Sequence, residues 1–153
     1  MPQRSVTHAT FTIERTFDAR PEQVFTAWAD PTAKRRWFGG TDESTHAIDF
    51  AVGGRENIRG TEGGDVYIFT ALYQDIVPNQ RIVYTYDMLQ NETRMSVSVT
   101  TVEFAPAGGG TKMTFTEHGA YLDGADTPAA REHGTRELID ALAKELSREG
   151  ATA

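Results

Sequence analysis

Glu117 and His118 are adjacent side chains that could exchange a proton, and they lie in the stretch KMTFTEHGAYLDG at residues 112–124. The stretch begins with a strand-like alternation that puts Phe115 and Glu117 on one face. Because successive residues of a strand point to opposite faces, His118 lies opposite Glu117, and the two cannot form a dyad unless Gly119 introduces a bulge or turn. We therefore predict an inward-facing Glu117, the best candidate for a catalytic acid or base, and an exposed His118.

Arg131 is the second candidate, near the start of a helix predicted over about residues 126–149. At ~100° per residue, the leucines spaced by four from Leu138 to Leu146 form one stripe, and its extension toward the helix N-terminus carries Thr135 and Arg131. Gly134, beside the stripe, would let the helix backbone approach the sheet closely. Two interpretations of Arg131 stay open: a side chain that reaches solvent, or a cation that orients a polar group at the mouth of a cavity.

Aromatic side chains recur at every second position of two predicted strands, which puts Tyr84, Tyr86 and Met88 on one face, and Tyr67 and Phe69 on another. Such residues are usually core, but a buried tyrosine hydroxyl needs a partner, and several of them facing a cavity would form a small-molecule site. Our candidates for ligand binding are Trp37, Tyr67, Phe69, Tyr84, Tyr86, Met88, Phe115, Glu117, Arg131 and Thr135.

Tight glycine and proline turns divide the middle of the chain into short strands. A strand over 11–17 precedes two short helices, at about 22–29 and 31–37, each opened by a proline. Because closely spaced turns favour hairpins, the sheet should be antiparallel and the fold class α+β, with one domain over 1–153 and a strand core at about 8–117. The further strands are predicted at 46–52, 55–59, 66–76, 81–88, 94–104 and 111–117, with a loop at 119–122.

Composition excludes several classes of function. A net charge of −7 disfavours nucleic acids and anionic membranes as partners, and we interpret the basic cluster Lys34 to Arg36 as a solvated helix face. The chain has no cysteine, no metal-ligand spacing among its histidines and no glycine-rich loop before a helix, so we predict no metal and no cofactor. No apolar run is long enough to span a membrane and no secretory signal is present, which favours a cytoplasmic protein.

The order of motifs resembles the START-like, or SRPBCC, superfamily, in the branch similar to the C-terminal domain of activators of heat-shock-protein-90 ATPase. The resemblance covers about residues 8–148 and rests on FDARPEQVFTAWADPTAKRRWFGG, YQDIVPNQRIVYTYDM, SVSVTTVEF, GGGTKMTFTEHGAYLDG and REHGTRELIDAL. It implies a helix-grip fold, in which a curved, seven-stranded antiparallel sheet grips the C-terminal helix around a cavity. In such a sheet the first and last strands are neighbours, so Arg15, on the apolar face of the first strand, becomes a candidate partner of Glu117.

The resemblance indicates fold more strongly than function, because the superfamily includes carriers, hormone binders, cyclases and chaperone activators. Our first hypothesis is a domain that binds a small hydrophobic or amphipathic molecule in the cavity. The alternative is a cyclase, dehydratase or hydrolase that uses Glu117, Arg131 and one tyrosine. A third is a chaperone-interaction module, which the absence of the activators' extra N-terminal domain disfavours. A homodimer is compatible with each hypothesis.

Overall fold

Seven strands and three helices make up the part of the chain that the computed structural model describes, residues 4–39 and 45–152. They are β1 (Val6–Phe17), α1 (Pro21–Ala29), α2 (Pro31–Arg35), β2 (His46–Ile48), β3 (Arg55–Glu62), β4 (Asp65–Val77), β5 (Arg81–Gln90), β6 (Thr93–Ala107), β7 (Gly110–Leu122) and α3 (Pro128–Thr152).

The strands form one antiparallel sheet in the order β1-β7-β6-β5-β4-β3-β2. β1 and β7 are neighbours, and α3 packs on the inner face of the curved sheet, where Ile139, Leu142 and Leu146 join the core. The α+β class and the helix-grip architecture are therefore confirmed. Among the described residues, no helix is both long and apolar enough to cross a bilayer.

Two-residue turns explain the hairpins. Gly63 and Gly64 join β3 to β4, and Gly108 and Gly109 join β6 to β7, each with two consecutive positive φ angles. Turns of this kind match the twist of the flanking strands and favour glycine. Asn91 and Glu92 adopt the same conformation between β5 and β6, and the side chain of Asn91 supports it by accepting a hydrogen bond from the Val66 backbone N–H at 2.8 Å.

β7 runs five residues further than the sequence predicts, so the expected loop at 119–122 is wrong. Its pairing with β1 continues to Leu122 opposite Val6. Gly119 allows this extension because the ring of Tyr121 folds over it, and a Cβ there would meet that ring at 3.0 Å. The alternation consequently holds through His118, which is exposed and lies 2.8 Å from the Thr10 hydroxyl.

Two smaller expectations also fail. β2 ends at Ile48 rather than at residue 52, since the chain turns so that Gly53 donates its backbone N–H to the Tyr73 carbonyl. Gly134 does not mark a close approach of α3 to the sheet: the residue is exposed, and a Cβ there would meet no atom within 4 Å.

Candidate functional site

A pocket of about 960 Å³ lies between the inner face of the sheet and the N-terminal half of α3. Its size is within the range of small-molecule sites. All ten residues predicted to bind a ligand line it: Trp37, Tyr67, Phe69, Tyr84, Tyr86, Met88, Phe115, Glu117, Arg131 and Thr135. The pocket exists at this place because the buried stripe of α3 changes there from apolar residues to Thr135 and Arg131, which leave space above the sheet.

One wall of the pocket is aromatic. The rings of Phe69 and Tyr86 lie 4.8 Å apart between centroids, and Phe38 meets Phe69 edge-on at 5.5 Å. The orientation of Trp37 is fixed by a hydrogen bond, which its indole N–H donates to the Ala27 carbonyl at 2.9 Å. These contacts hold the rings in place, so the wall is a preformed apolar surface.

Glu117 lies at the polar end of the pocket and is almost fully buried. It sits on β7 directly opposite Thr100 of β6, whose hydroxyl donates to Oε1 at 3.1 Å. Tyr86, on the next strand, donates to Oε2 at 2.8 Å. Three adjacent strands therefore build this end of the pocket, each through a residue that faces inward.

Arg131, on α3, contacts both Tyr86 and Glu117 from the opposite side of the pocket. Its Nη1 donates to the Tyr86 hydroxyl at 2.8 Å and lies 3.5 Å from Glu117 Oε2, while its Nη2 donates to Ser96 at 2.7 Å and to Asp126 at 2.9 Å. Only 9% of Arg131 is exposed. The interpretation of Arg131 as a side chain that reaches solvent is therefore wrong, since the sheet supplies partners that water would otherwise provide.

Burial dominates the electrostatics of this end. It raises the pKa of the Glu117 carboxyl, and the hydrogen bond from Tyr86 and the charge of Arg131 offset the effect only in part. Burial and the nearby Glu117 charge also raise the pKa of Tyr86, which keeps that hydroxyl protonated. Tyr86 thus donates to Glu117 while it accepts from Arg131, and it links the two charges.

Sequence and structure comparisons agree with this architecture. Residues 18–147 match the family model described as Activator of Hsp90 ATPase homolog 1-like protein. The chain belongs to this family. An uncharacterized protein from Rhizobium leguminosarum is 44% identical, with 95% of this chain and 99% of that chain covered and a TM-score of 0.90. The Mll3558 protein from Rhizobium loti is 49% identical, with coverage of 92% and 99% and a TM-score of 0.88.

More distant structures share only the fold with this chain. CalU16 from Micromonospora echinospora is 18% identical, and the alignment covers 98% of this chain and 88% of that chain with a TM-score of 0.67. No match is found among curated proteins. Family membership thus establishes the fold, while the chemistry of the pocket has to be argued from its own residues.

Arg15 is not the partner of Glu117, contrary to one of our expectations. The register puts Arg15 opposite Met113 and Phe11 opposite Glu117, so four residues, about 13 Å of strand, separate the two charges. Arg15 instead donates to Asp140 of α3 at 2.7 Å, in a half-exposed ion pair. It does not line the pocket.

Sequence reasoning missed a second buried charged cluster, formed by Lys34, His46, Glu56 and Tyr73. Glu56 accepts from Lys34 Nζ at 2.6 Å and from the Tyr73 hydroxyl at 2.6 Å, and it lies 2.7 Å from His46 Nε2. Lys34 is buried, so the solvated helix face proposed for the basic cluster at 34–36 is wrong there. Arg36 stays exposed, and its Nε donates to Glu145 of α3 at 2.7 Å.

A signal for this cluster was present in the sequence. Glu56 and Ile58 share the face of β3 that faces the core, so a carboxylate stood on an apolar face and required a cation. Burial alone would raise the pKa of Glu56, but the charge of Lys34 and the hydrogen bonds from His46, Lys34 and Tyr73 lower it to about 2. Neither Lys34 nor Glu56 lines the pocket.

A metal centre is not indicated by the geometry: among the described residues, no group of three or more histidines and carboxylates is arranged to hold an ion. The polar end of the pocket instead offers groups that can form hydrogen bonds to a ligand, and the Glu117 carboxyl there can gain or lose a proton.

Proposed function

We propose that this protein binds a small amphipathic molecule in the pocket between the sheet and α3. The observation that carries the proposal is the division of the pocket into an aromatic wall and one buried polar end at Glu117, Tyr86 and Arg131. A site with a large apolar surface and a few convergent polar groups is typical of proteins that bind such molecules.

Because the polar end is buried, its groups would gain from a hydrogen bond to a ligand. Glu117 and Arg131 lose hydration when they are buried, and that cost is offset only by their partners in the network. A ligand group that bonds to Glu117 would supply a further partner in a site of low dielectric, where each hydrogen bond is stronger than in water. The apolar body of the ligand would gain about 25 cal/mol for each Å² of surface it buries against the aromatic wall.

An uncharged fluorescent dye, Nile red, tests whether the pocket takes up apolar molecules. We expect it to bind with a blue-shifted emission, and we expect Thr135→Trp to abolish the signal because the new side chain projects from a pocket-lining position. The matched control is Glu137→Trp, on an exposed position of the same helix, which should bind the dye like the native protein. Dye binding that survives Thr135→Trp in a folded variant would contradict the proposal, and so would native protein that binds neither Nile red nor any other apolar probe of similar size.

Proton transfer is a second candidate function, and one observation favours it: a carboxyl whose pKa burial raises faces the pocket beside a tyrosine. A carboxyl with a raised pKa holds its proton to a higher pH than an ordinary carboxyl does, which is a property of general acids and bases. The test is to compare native protein and Glu117→Gln on any molecule that the protein turns over. The enzyme hypothesis expects the variant to keep its affinity and lose its turnover; equal rates would reject it.

A further inference from the structure

The charges around the pocket are unevenly matched. Four described charged residues border it: Arg59, Glu117, Asp126 and Arg131. At the polar end one guanidinium faces two carboxylates, since Arg131 lies 2.9 Å from Asp126 and 3.5 Å from Glu117. Arg59 is exposed and lies on β3; three strands, β6, β5 and β4, separate it from the strand of Glu117, so it is out of hydrogen-bonding reach. With all three groups ionised, the polar end carries one excess negative charge.

Most of the donors of Arg131 are already engaged. Three of its five N–H groups donate to Tyr86, Ser96 and Asp126, and its Nη1 also faces Glu117. A ligand carboxylate normally binds arginine through two parallel N–H donors of the guanidinium. Here the two terminal nitrogens are both occupied, so a carboxylate would have to displace internal partners that are buried.

At the polar end, Glu117 can still accept further hydrogen bonds. An ionised carboxylate offers about four lone-pair positions, and Glu117 receives hydrogen bonds from Tyr86 and Thr100 only, with Arg131 at a longer distance. Tyr86 uses its proton on Glu117. A ligand group that donates an O–H or N–H therefore finds an open acceptor at Glu117, whereas a group that only accepts meets donors of Arg131 and Tyr86 that are already engaged.

Resting on the proposed function, we infer that the pocket selects ligands whose polar end is a hydrogen-bond donor, an alcohol, phenol or ammonium group, and that it rejects carboxylates of the same skeleton. A donor completes the coordination of Glu117 and, when charged, offsets the excess negative charge. A carboxylate adds a third negative charge to a buried site with one cation. The aromatic wall accommodates the skeleton in either case.

Three pyrene derivatives test the inference, because they share one apolar skeleton and differ in the polar group. 1-Pyrenemethanol is neutral, 1-pyrenemethylamine is cationic and 1-pyrenecarboxylate is anionic at about pH 7.5. Fluorescence titration of the native protein should give the carboxylate a Kd at least about tenfold higher than that of the alcohol, a difference of about 1.4 kcal/mol. The amine should bind at least as tightly as the alcohol.

Variants show whether Glu117 and Asp126 cause the discrimination. Glu117→Gln and Asp126→Asn each remove one negative charge from the polar end, so each should reduce the ratio of carboxylate to alcohol Kd severalfold. Asp126 is partly exposed, which keeps the test open if Glu117→Gln does not fold. Glu137→Gln, the same charge change on an exposed position of α3, should leave the ratio unchanged.

The outcomes separate this inference from the proposed function. Carboxylate binding as tight as alcohol binding, or a ratio that neither variant changes, overturns the selectivity for donors while the pocket remains a binding site. Failure of all three probes and of Nile red to bind overturns the proposed function, and the inference with it.

Discussion

Glu56 and Glu117 are both about 1% exposed, yet their surroundings give them opposite properties. Glu56 has three close partners in Lys34, His46 and Tyr73, and its pKa falls to about 2. Glu117 has two hydroxyl donors and a guanidinium at 3.5 Å, and its pKa rises. Burial penalises both carboxylates, so the difference comes from how completely each one is paired.

In our proposal, Glu56 is a structural charge and Glu117 is a ligand-binding one. The Glu56 cluster joins α2 to β2, β3 and β4, and the Lys34 ammonium lies 4.1 Å from the centroid of the Phe38 ring, at the back of the pocket wall. Its three other members all lie within 2.7 Å of Glu56, and none of the four residues lines the pocket. Glu117 keeps free lone pairs and does line it. We expect stability to depend on the first glutamate and binding on the second.

The largest expected effect is on stability, at Glu56. Removal of one member of a buried ion pair leaves the other charge without compensation, so Glu56→Gln should lower the free energy of unfolding by about 3–5 kcal/mol. Urea denaturation followed by tryptophan fluorescence measures it. The double variant Lys34→Met with Glu56→Leu should recover much of the loss, because two apolar residues leave no buried charge. A loss below 1 kcal/mol for Glu56→Gln would show that the cluster is not the structural element we describe.

The two glutamates should also give opposite pH dependences of stability. The pKa of Glu56 falls from its ordinary 4.5 to about 2, so its contribution, about 3 kcal/mol, is present above pH 4.5 and is lost as the pH falls toward 2. The pKa of Glu117 is raised, so ionisation of Glu117 opposes folding, and its effect grows as the pH rises from 4.5 through the raised pKa.

Urea denaturation across this pH range tests both signs. The stability of native protein relative to Glu117→Gln should decrease as the pH rises, whereas its stability relative to Glu56→Gln should decrease as the pH falls. The same sign for both glutamates would contradict the comparison.

The smallest expected effect is at Arg15. Its ion pair with Asp140 is partly exposed, and such pairs contribute about 0.2–1 kcal/mol. Arg15→Gln should therefore lower the free energy of unfolding by less than about 1 kcal/mol and leave the Kd of 1-pyrenemethanol unchanged. A severalfold change in that Kd would return Arg15 to the binding site, against the register of β1 and β7.

Features that depend on local sequence alone, such as turns and the buried face of a helix, were predictable. Turn glycines indicated an antiparallel sheet, and the helical angle placed Arg131 and Thr135 on the stripe that faces the sheet. The partner of Glu117 was not predictable, because the choice between Arg15 and Arg131 depends on strand register. The burial of Lys34 was not predictable. Glu56 on an apolar face indicates only that some cation is needed, and no local pattern connects Lys34 with His46, Glu56 and Tyr73, which lie on three different strands.

Ligand binding in this pocket can be observed directly in a methyl NMR spectrum of protein labelled with ¹³C at the methionine methyl groups, recorded with and without 1-pyrenemethanol. Met88 lines the pocket, whereas Met113 lies fully buried in the core and outside the pocket lining. We expect a large ring-current shift of the Met88 methyl and an unchanged Met113 methyl, with the Met88 shift lost in Thr135→Trp. A bound probe that leaves Met88 unshifted would contradict the assignment of this pocket as the binding site.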